Sequence, residues 1–262
     1  MKKNNKRKIL PSITTTFGSD WKAQLKEVKE LRLKEIAIFP TCLKERERKK
    51  FYNLIEKTGI KSIPFCHLRS DMKIEELDYL INKFHTKVFS LHSLVEFPLL
   101  YDYSKYKNMI YIENVFSPLN EREIKNFGGI SLDISHLEND RLLHKEKFKK
   151  DLKVIKKCSI GCNHISTIKK FILLKGKLKE RGVRHTDHLL ESFSDLDYLK
   201  KYSKNYFSDM IAIELENSIK EQLLAKKYIA NILNKIINIK KYETPLEVFG
   251  IKFFRKKFYT KH

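Results

Sequence analysis

No apolar run in these 262 residues approaches the ~20 needed for a helix to cross a bilayer, which excludes a helical membrane protein. The basic start, Met1 to Lys8, is followed only by Ile9-Leu10-Pro11, too short for the apolar region of a signal peptide, so a cytoplasmic location is expected. Cysteine is scarce, with four in all: Cys42, Cys66, Cys158 and Cys162. Cys158 and Cys162 are four apart, but Ser159-Ile160-Gly161 between them reads as the start of a strand. No second pair completes a structural zinc site, and all four read as reduced, mostly buried thiols. No glycine-rich loop follows the first strand, which argues against a dinucleotide-binding or P-loop fold. Acidic residues are outnumbered 32 to 54 by Lys and Arg, for a net charge of +22. That excess has two readings: a polyanionic partner such as nucleic acid or a phosphorylated substrate, or a Lys-, Asn- and Ile-rich compositional bias spread over every helix.

With 42% hydrophobic residues the chain can bury a substantial core. Apolar, β-branched runs read as strands at 9–16, 35–39, 62–67, 87–92, 108–113, 129–133, 159–166 and 210–216. Helical patterns read at 20–33, 43–57, from Ser70 or Asp71 to 84, from Pro118 to near 128, and at 140–157, 195–202 and 218–239. Eight strand–helix alternations without a composition break point to an α/β fold, a single (β/α)8 TIM barrel over 9–240. A basic arm at 1–8 precedes it and a basic, aromatic segment at 241–262 follows. A long basic insert at 167–182 interrupts the pattern after the seventh strand.

Strand after strand ends in a polar, chemically active residue. Examples are Phe65-Cys66-His67, Ser90-Leu91-His92, Tyr111-Ile112-Glu113, Cys162-Asn163-His164 and Ile213-Glu214-Leu215-Glu216. Above all, Gly129-Ile130-Ser131-Leu132-Asp133-Ile134-Ser135-His136 is an apolar strand ending in Asp-x-x-His. Barrel active sites lie at the C-terminal ends of strands. His67, His92, Glu113, Asp133, His136, His164, His185 and Glu214 would therefore ring one mouth. Nitrogen and oxygen donors without thiolate suit a divalent metal such as Mn, Co, Mg or Zn, and such an ion lets several carboxylates share a cavity. His85, His144 and His262 read as surface residues.

This pattern resembles the xylose isomerase-like TIM barrel superfamily, over nearly the whole of 9–239. Glu113 in Ile-Glu-Asn, Asp133 and His136 in Leu-Asp-Ile-Ser-His, His164 in Asn-His-Ile-Ser, and Glu214 or Glu216 resemble its metal and catalytic positions. Strand alternation puts Glu214 and Glu216 on one face, and Glu214 is preferred. For a sugar or sugar phosphate isomerase/epimerase, the resemblance implies one metal held by Glu113, Asp133, His164 and Glu214. Glu113 and Glu214 would then move a proton through an enediolate, and His136 would hold a substrate oxygen. For the endonuclease IV type of abasic-site nuclease it implies His67 and His92 as further ligands, with His185 and a neighbouring acid completing a three-metal cluster, although Asp187 stands on the wrong side of His185 for that pattern.

Three departures stand against that second branch. Val115-Phe116-Ser117 and Leu189-Leu190-Glu191 replace small glycine-containing segments. Thr167 stands where an Asp is usual. Val183-Arg184-His185 stands where Asp-x-His is usual. The leading expectation is the isomerase/epimerase, with the phosphodiesterase as alternative and a non-catalytic ligand-binding barrel as the third. His188, Asp187, Glu216 and Arg69 are further candidates for metal or substrate. The partner expected is a sugar or sugar phosphate, with nucleic acid as the alternative, no membrane, and oligomerisation open.

Overall fold

The protein is described by a computed structural model covering residues 7–173 and 183–237. The expectations for the C-terminal segment, His262 and residues 1–6 of the N-terminal arm lie outside the described residues, and Lys8, expected in the arm, belongs to the first strand.

Nine strands form one parallel sheet: β1 (Lys8–Leu10), β2 (Ser12–Thr14), β3 (Ala37–Phe39), β4 (Phe65–His67), β5 (Val88–His92), β6 (Ile110–Glu113), β7 (Gly129–Asp133), β8 (Ile160–Ile165) and β11 (Met210–Ile213). A separate antiparallel hairpin, β9 (Thr167–Leu173) and β10 (Val183–Asp187), is inserted after β8 where the basic insert was expected. The sheet order runs β1-β11-β8-β7-β6-β5-β4-β3-β2, so its two ends are consecutive in sequence. Only Pro11 separates them.

That proline has no N–H to give to a ladder, and the sheet changes partners there: β1 pairs with β11 and β2 with β3. Side chains bridge the remaining seam. Gln222 accepts from the Ser12 N–H at 2.7 Å and donates to the Ser12 carbonyl at 3.0 Å. The Ser12 hydroxyl donates to the carbonyl of Ile213 at 2.5 Å. The result is a nearly closed, barrel-like sheet.

Helices flank it: α1 (Trp21–Glu30), α2 (Glu45–Glu56), α3 (Ile74–Phe84), α4 (Glu121–Lys125), α5 (Ile134–Leu143), α6 (Lys145–Ile155) and α7 (Ile219–Ile237). A 3-10 turn, Ser104–Met109, stands between β5 and β6, and two more, Phe193–Lys201 and Lys204–Tyr206, precede β11. Alternation along the strands sorts the core into two clusters. Ile13, Ile38, Phe89, Ile112, Ile130, Ile165 and Ile211 face outward and belong to the large cluster that includes the helices. Leu10, Ala37, Phe39, Phe65, Val88, Cys162 and Ala212 form a second buried cluster on the opposite, inward faces. At the sheet's N-terminal end, a side chain on Gly161 would collide with the Tyr111 ring. Gly129, at φ +135°, approaches the Ser159 carbonyl too closely for any Cβ.

Three helix expectations need correction. The helix after β4 starts at Ile74 behind Lys73, not at Ser70 or Asp71. Asp71 is instead taken by Arg69 and Arg48, and Glu76 reaches back to the Lys73 N–H at 3.3 Å. The helix expected at 140–157 is two helices, and the first starts at Ile134, directly off β7. Asp133 caps it, accepting the His136 N–H at 2.8 Å. The buried side of α5 mixes Ile134 and Leu137 with Ser135, Glu138 and Asp140, which hides a helical apolar period. Pro118 does not open α4; Asn120 caps it through the Arg122 and Glu123 N–H groups. No disulfide links the four cysteines. Among the described residues no helix is long and apolar enough to cross a membrane. His85 and His144 are exposed, at a helix end and between two helices.

Candidate metal centre

Each functional side chain sits one alternation step beyond an inward core residue. Phe65 leads to His67, Ser90 to His92, Tyr111 to Glu113, Ser131 to Asp133, Cys162 to His164 and Ala212 to Glu214. Their side chains meet at the C-terminal ends of the strands. The floor beneath them is aromatic: the His164 ring packs edge-on against Phe39 and Phe65, at centroid distances of 5.0 and 5.2 Å.

Glu113 is the hub. Its Oε2 lies 2.9 Å from His67 Nε2 and 3.8 Å from His92 Nε2, and accepts from the Ser90 hydroxyl at 3.2 Å. Its Oε1 lies 3.5 Å from His164 Nδ1. That same nitrogen is 3.6 Å from Glu214 Oε2 and 3.9 Å from Asp133 Oδ2. His136 Nε2 lies 3.7 Å from Asp133 Oδ2, and His188 Nδ1 lies 3.9 Å from Glu214 Oε1.

Two sets of side chains each bring one donor atom apiece within 4.8 Å of one another: His67, His92 and Glu113, and Glu113, Asp133 and His164. They share Glu113. Glu113, Asp133 and His164 are buried. Yet Asp133 Oδ2, His164 Nδ1 and His67 Nδ1 are buried without a hydrogen-bond partner. Leaving such groups unpaired is costly. Three converging carboxylates would also repel one another. A divalent cation among these nitrogen and oxygen donors answers both problems, so the residues fit a metal.

The electrostatics point the same way. Burial would raise the Glu113 carboxyl, but His164 and His67 hold it well below the usual carboxylate range. Burial likewise opposes a low value for Glu214, and His188 and His164 overcome it. His164 and His188 are pushed up by these carboxylates against the effect of burial. Burial, with His67 and His136 nearby, pushes His92 down against the pull of Glu113. The carboxylates thus favour positive charge at His164, where their oxygens converge, and a cation bound there would take the place of the proton.

The second shell, which sequence reasoning missed, holds this geometry. Asn114 is fully buried, accepts from the Asp133 N–H at 2.8 Å and donates to the Asp133 carbonyl at 3.0 Å. It therefore ties the residue after Glu113 to the backbone of Asp133. The Ser135 hydroxyl donates to Asp133 Oδ1, and its oxygen lies 2.6 Å from that of Ser166. The Ser131 hydroxyl stands 3.3 Å from His164 Nε2. The available signal was the pairing of Glu113 with an adjacent amide side chain, and an Asp-x-x-His spacing that doubles as a helix cap.

A cavity of about 300 Å3 opens above the cluster, lined by His67, His92, Glu113, His136, His188 and Glu214 and also by Arg69 and Arg184. Arg69 is held by Asp71 and the Thr41 carbonyl. Asp133 and His164 lie in the cluster beneath the lining, and three further candidates stand apart from both cluster and lining. His185 turns its Nδ1 to the Lys169 carbonyl at 2.7 Å, and its N–H donates to Asn139. Asp187 accepts the His188 N–H. Glu216 accepts the Thr16 hydroxyl at 2.6 Å. No family model matches the chain, and no curated protein matches it.

Proposed function

We propose that the chain is a divalent-metal-dependent phosphodiesterase on a (β/α)8 barrel of the xylose isomerase-like kind, nearest to the endonuclease IV branch. Counting β1 and β2 as one stave broken at Pro11 reduces the nine strands to eight. One observation carries the functional reading: Glu113 belongs to two metal-capable sets at once, with His67 and His92 on one oxygen and His164 beside the other. A single ion held by Glu113, Asp133 and His164 would leave His67 and His92 outside its ligand set, whereas two ions sharing Glu113 would engage both, as two-metal phosphoryl chemistry requires.

His67, His92 and Glu113 would hold one ion, and Glu113, Asp133, His164 and Glu214 the other. Ions so held supply charge neutralisation for a phosphodiester and a lowered pKa for attacking water. The protein's own part is positional. His136 and His188 line the cavity beside Asp133 and Glu214 and can hydrogen-bond ligand oxygens from two sides. Asn114 and Ser135 keep Asp133 in register with Glu113. The apolar floor keeps water out from below.

The test is elemental analysis of protein purified without chelator, with cleavage of abasic-site duplex DNA read on the same sample. About two ions per chain and strand cleavage lost on chelation are expected. The isomerase/epimerase reading keeps one supporting observation: His185 is turned to the Lys169 carbonyl and, among the described residues, belongs to no metal-capable set, while Glu113, Asp133 and His164 form one without it, with Glu214 3.6 Å from His164. About one ion per chain with turnover of a sugar or sugar phosphate would decide for that reading. No metal uptake after reconstitution would leave only a ligand-binding barrel.

A further inference from the structure

One wall of the cavity is unlike the rest. The loops after β5 and β6 bring Phe97, Val115 and Phe116 to the lining. Exposure grows outward along this wall: Val115 is 8% exposed, Phe97 43% and Phe116 54%, and beyond the cavity Val95 is 74% exposed. The wall is built rather than incidental. Glu96 accepts the N–H groups of Phe116 and Ser117 at 3.0 and 2.5 Å, pinning the second loop to the first. Glu123 pins the first loop to α4 by accepting from the Ser93 hydroxyl and the Leu94 N–H.

A series of rings runs down this wall to the metal centre. Phe97 lies 5.1 Å from His92, His92 lies 4.8 Å from His67, and His67 bonds Glu113. A ligand whose oxygen-rich part reaches Glu113 therefore has flat, apolar surface beside its other end. A bare sugar phosphate would leave that surface in water; apolar side chains preassembled at a pocket wall favour a ligand that covers them.

We propose that this site takes a nucleotide that retains its base, with phosphate and sugar over the histidine–carboxylate cluster and the base against Phe97 and Val115. The proposal rests on the metal-centre reading above and narrows its substrate: the sugar phosphate over the cluster belongs to a nucleotide with its base in place, so strands with intact bases, and not abasic sites alone, are taken. The net charge of +22 suits an anionic ligand. The base could arrive on a free nucleotide or within a single strand; the chemistry recognised is the same.

The experiment is titration calorimetry of the metal-loaded full chain with adenosine 5′-monophosphate and with ribose 5-phosphate, which share the sugar phosphate and differ at C1′, a base in one and an anomeric hydroxyl in the other. The nucleotide should bind about tenfold or more tightly than the baseless sugar phosphate, because an aromatic wall gains only from the base. Phe97→Ala should bring the nucleotide down to the level of the sugar phosphate and leave the latter's affinity and the metal content unchanged. Phe97→Trp, which keeps a ring, should retain the preference.

A short single-stranded oligonucleotide supplies the third arm. If it binds more tightly than the mononucleotide, with an affinity that falls steeply as salt rises, the base comes on a nucleic acid. If it binds no better, the base comes on a free nucleotide. Equal or tighter binding of ribose 5-phosphate, or an equal loss for both ligands in Phe97→Ala, overturns the proposal. Metal content separates the two failures: a chain that takes up no metal fails the metal-centre reading, whereas a metal-loaded chain without base preference fails only this one.

Discussion

Two of the buried ionic clusters among the described residues are built on opposite plans. Outside the barrel, between α2 and α3, Arg48 is fully buried and saturated. Its guanidinium donates to both oxygens of Glu76 at 2.7 and 2.8 Å, to the Leu43 carbonyl and to Asp71. Tyr52 adds a further bond to Glu76. In the barrel mouth the carboxylates outnumber their fixed cations, and Asp133 Oδ2 and His164 Nδ1 have no hydrogen-bond partner. A satisfied charge network is complete within the fold. An unsatisfied one at strand ends, beside a cavity, is a place where a bound cation would complete the network. The contrast separates structural from functional charge more sharply than burial does, since both clusters are buried.

Breaking the saturated cluster should have the largest effect on stability. Arg48→Ala leaves Glu76 buried without its cation and should cost about 3–5 kcal/mol. Urea unfolding measures this, and metal content per folded chain should be unchanged. Replacing both partners together, as Arg48→Met with Glu76→Leu, should restore much of the loss. If the single variant unfolds no earlier than wild type, the network is not the structural element argued here.

The mouth should respond in the reverse way. In chelator, Glu113→Gln removes one of several converging carboxylates but also the charge partner of His67 and His164, and should lower stability by clearly less than Arg48→Ala does. Saturating the wild type with zinc or manganese should add about 4 kcal/mol at a thousandfold excess over Kd, and the variant should gain almost none of it. A variant that loses as much stability in chelator as Arg48→Ala would erase the distinction between the clusters.

Asn114 sharpens the comparison because it is a saturated group serving the unsatisfied cluster. Asn114→Ala strips the Asp133 N–H and carbonyl of their partners in a buried setting, at a cost of about 1–3 kcal/mol. It should also weaken metal binding by about tenfold or more, as loss of outer-shell support does. Metal titration of the folded variant reads the second effect. An unchanged affinity with reduced stability would make Asn114 a strand tie and nothing more.

The mouth was legible in the sequence because a parallel strand repeats with period two. Once Phe65, Tyr111, Ser131 and Cys162 face inward, His67, Glu113, Asp133 and His164 must follow at the same end of the sheet. The placement of Glu214 over Glu216 was not decided by that rule, since both share a face. It follows from contacts across the barrel, Glu214 with His164 and Glu216 with Thr16. Arg48 was invisible for a related reason. On a helix rich in charge it reads as solvated surface, and only the arrival of Glu76 and Asp71 from 23 to 28 residues away makes it core. The start of α5 was missed because Asp133 is both strand end and helix cap, and sequence patterns assign a residue to one element at a time. The His185 region misled because spacing along a chain does not report the hairpin twist that turns its ring toward Lys169.

The smallest effect should come from the exposed flank of the saturated cluster. Arg69, with Arg48 behind it, holds the Asp71 carboxyl below its ordinary value, although burial opposes this. A lowered carboxyl contributes stability above its unfolded pKa of about 3.9 and loses it as pH falls through the folded value. Asp71 is 32% exposed, so solvent screens the pair and the contribution is about 1 kcal/mol or less. Wild type should therefore lose slightly more stability than Asp71→Asn between about pH 4 and lower values, with parallel curves above. Identical acid limbs would mean that Arg48 is neutralised by Glu76 alone. In that case the cluster outside the barrel is a single buried pair with a solvated neighbour, and its contrast with the many-centred mouth becomes larger.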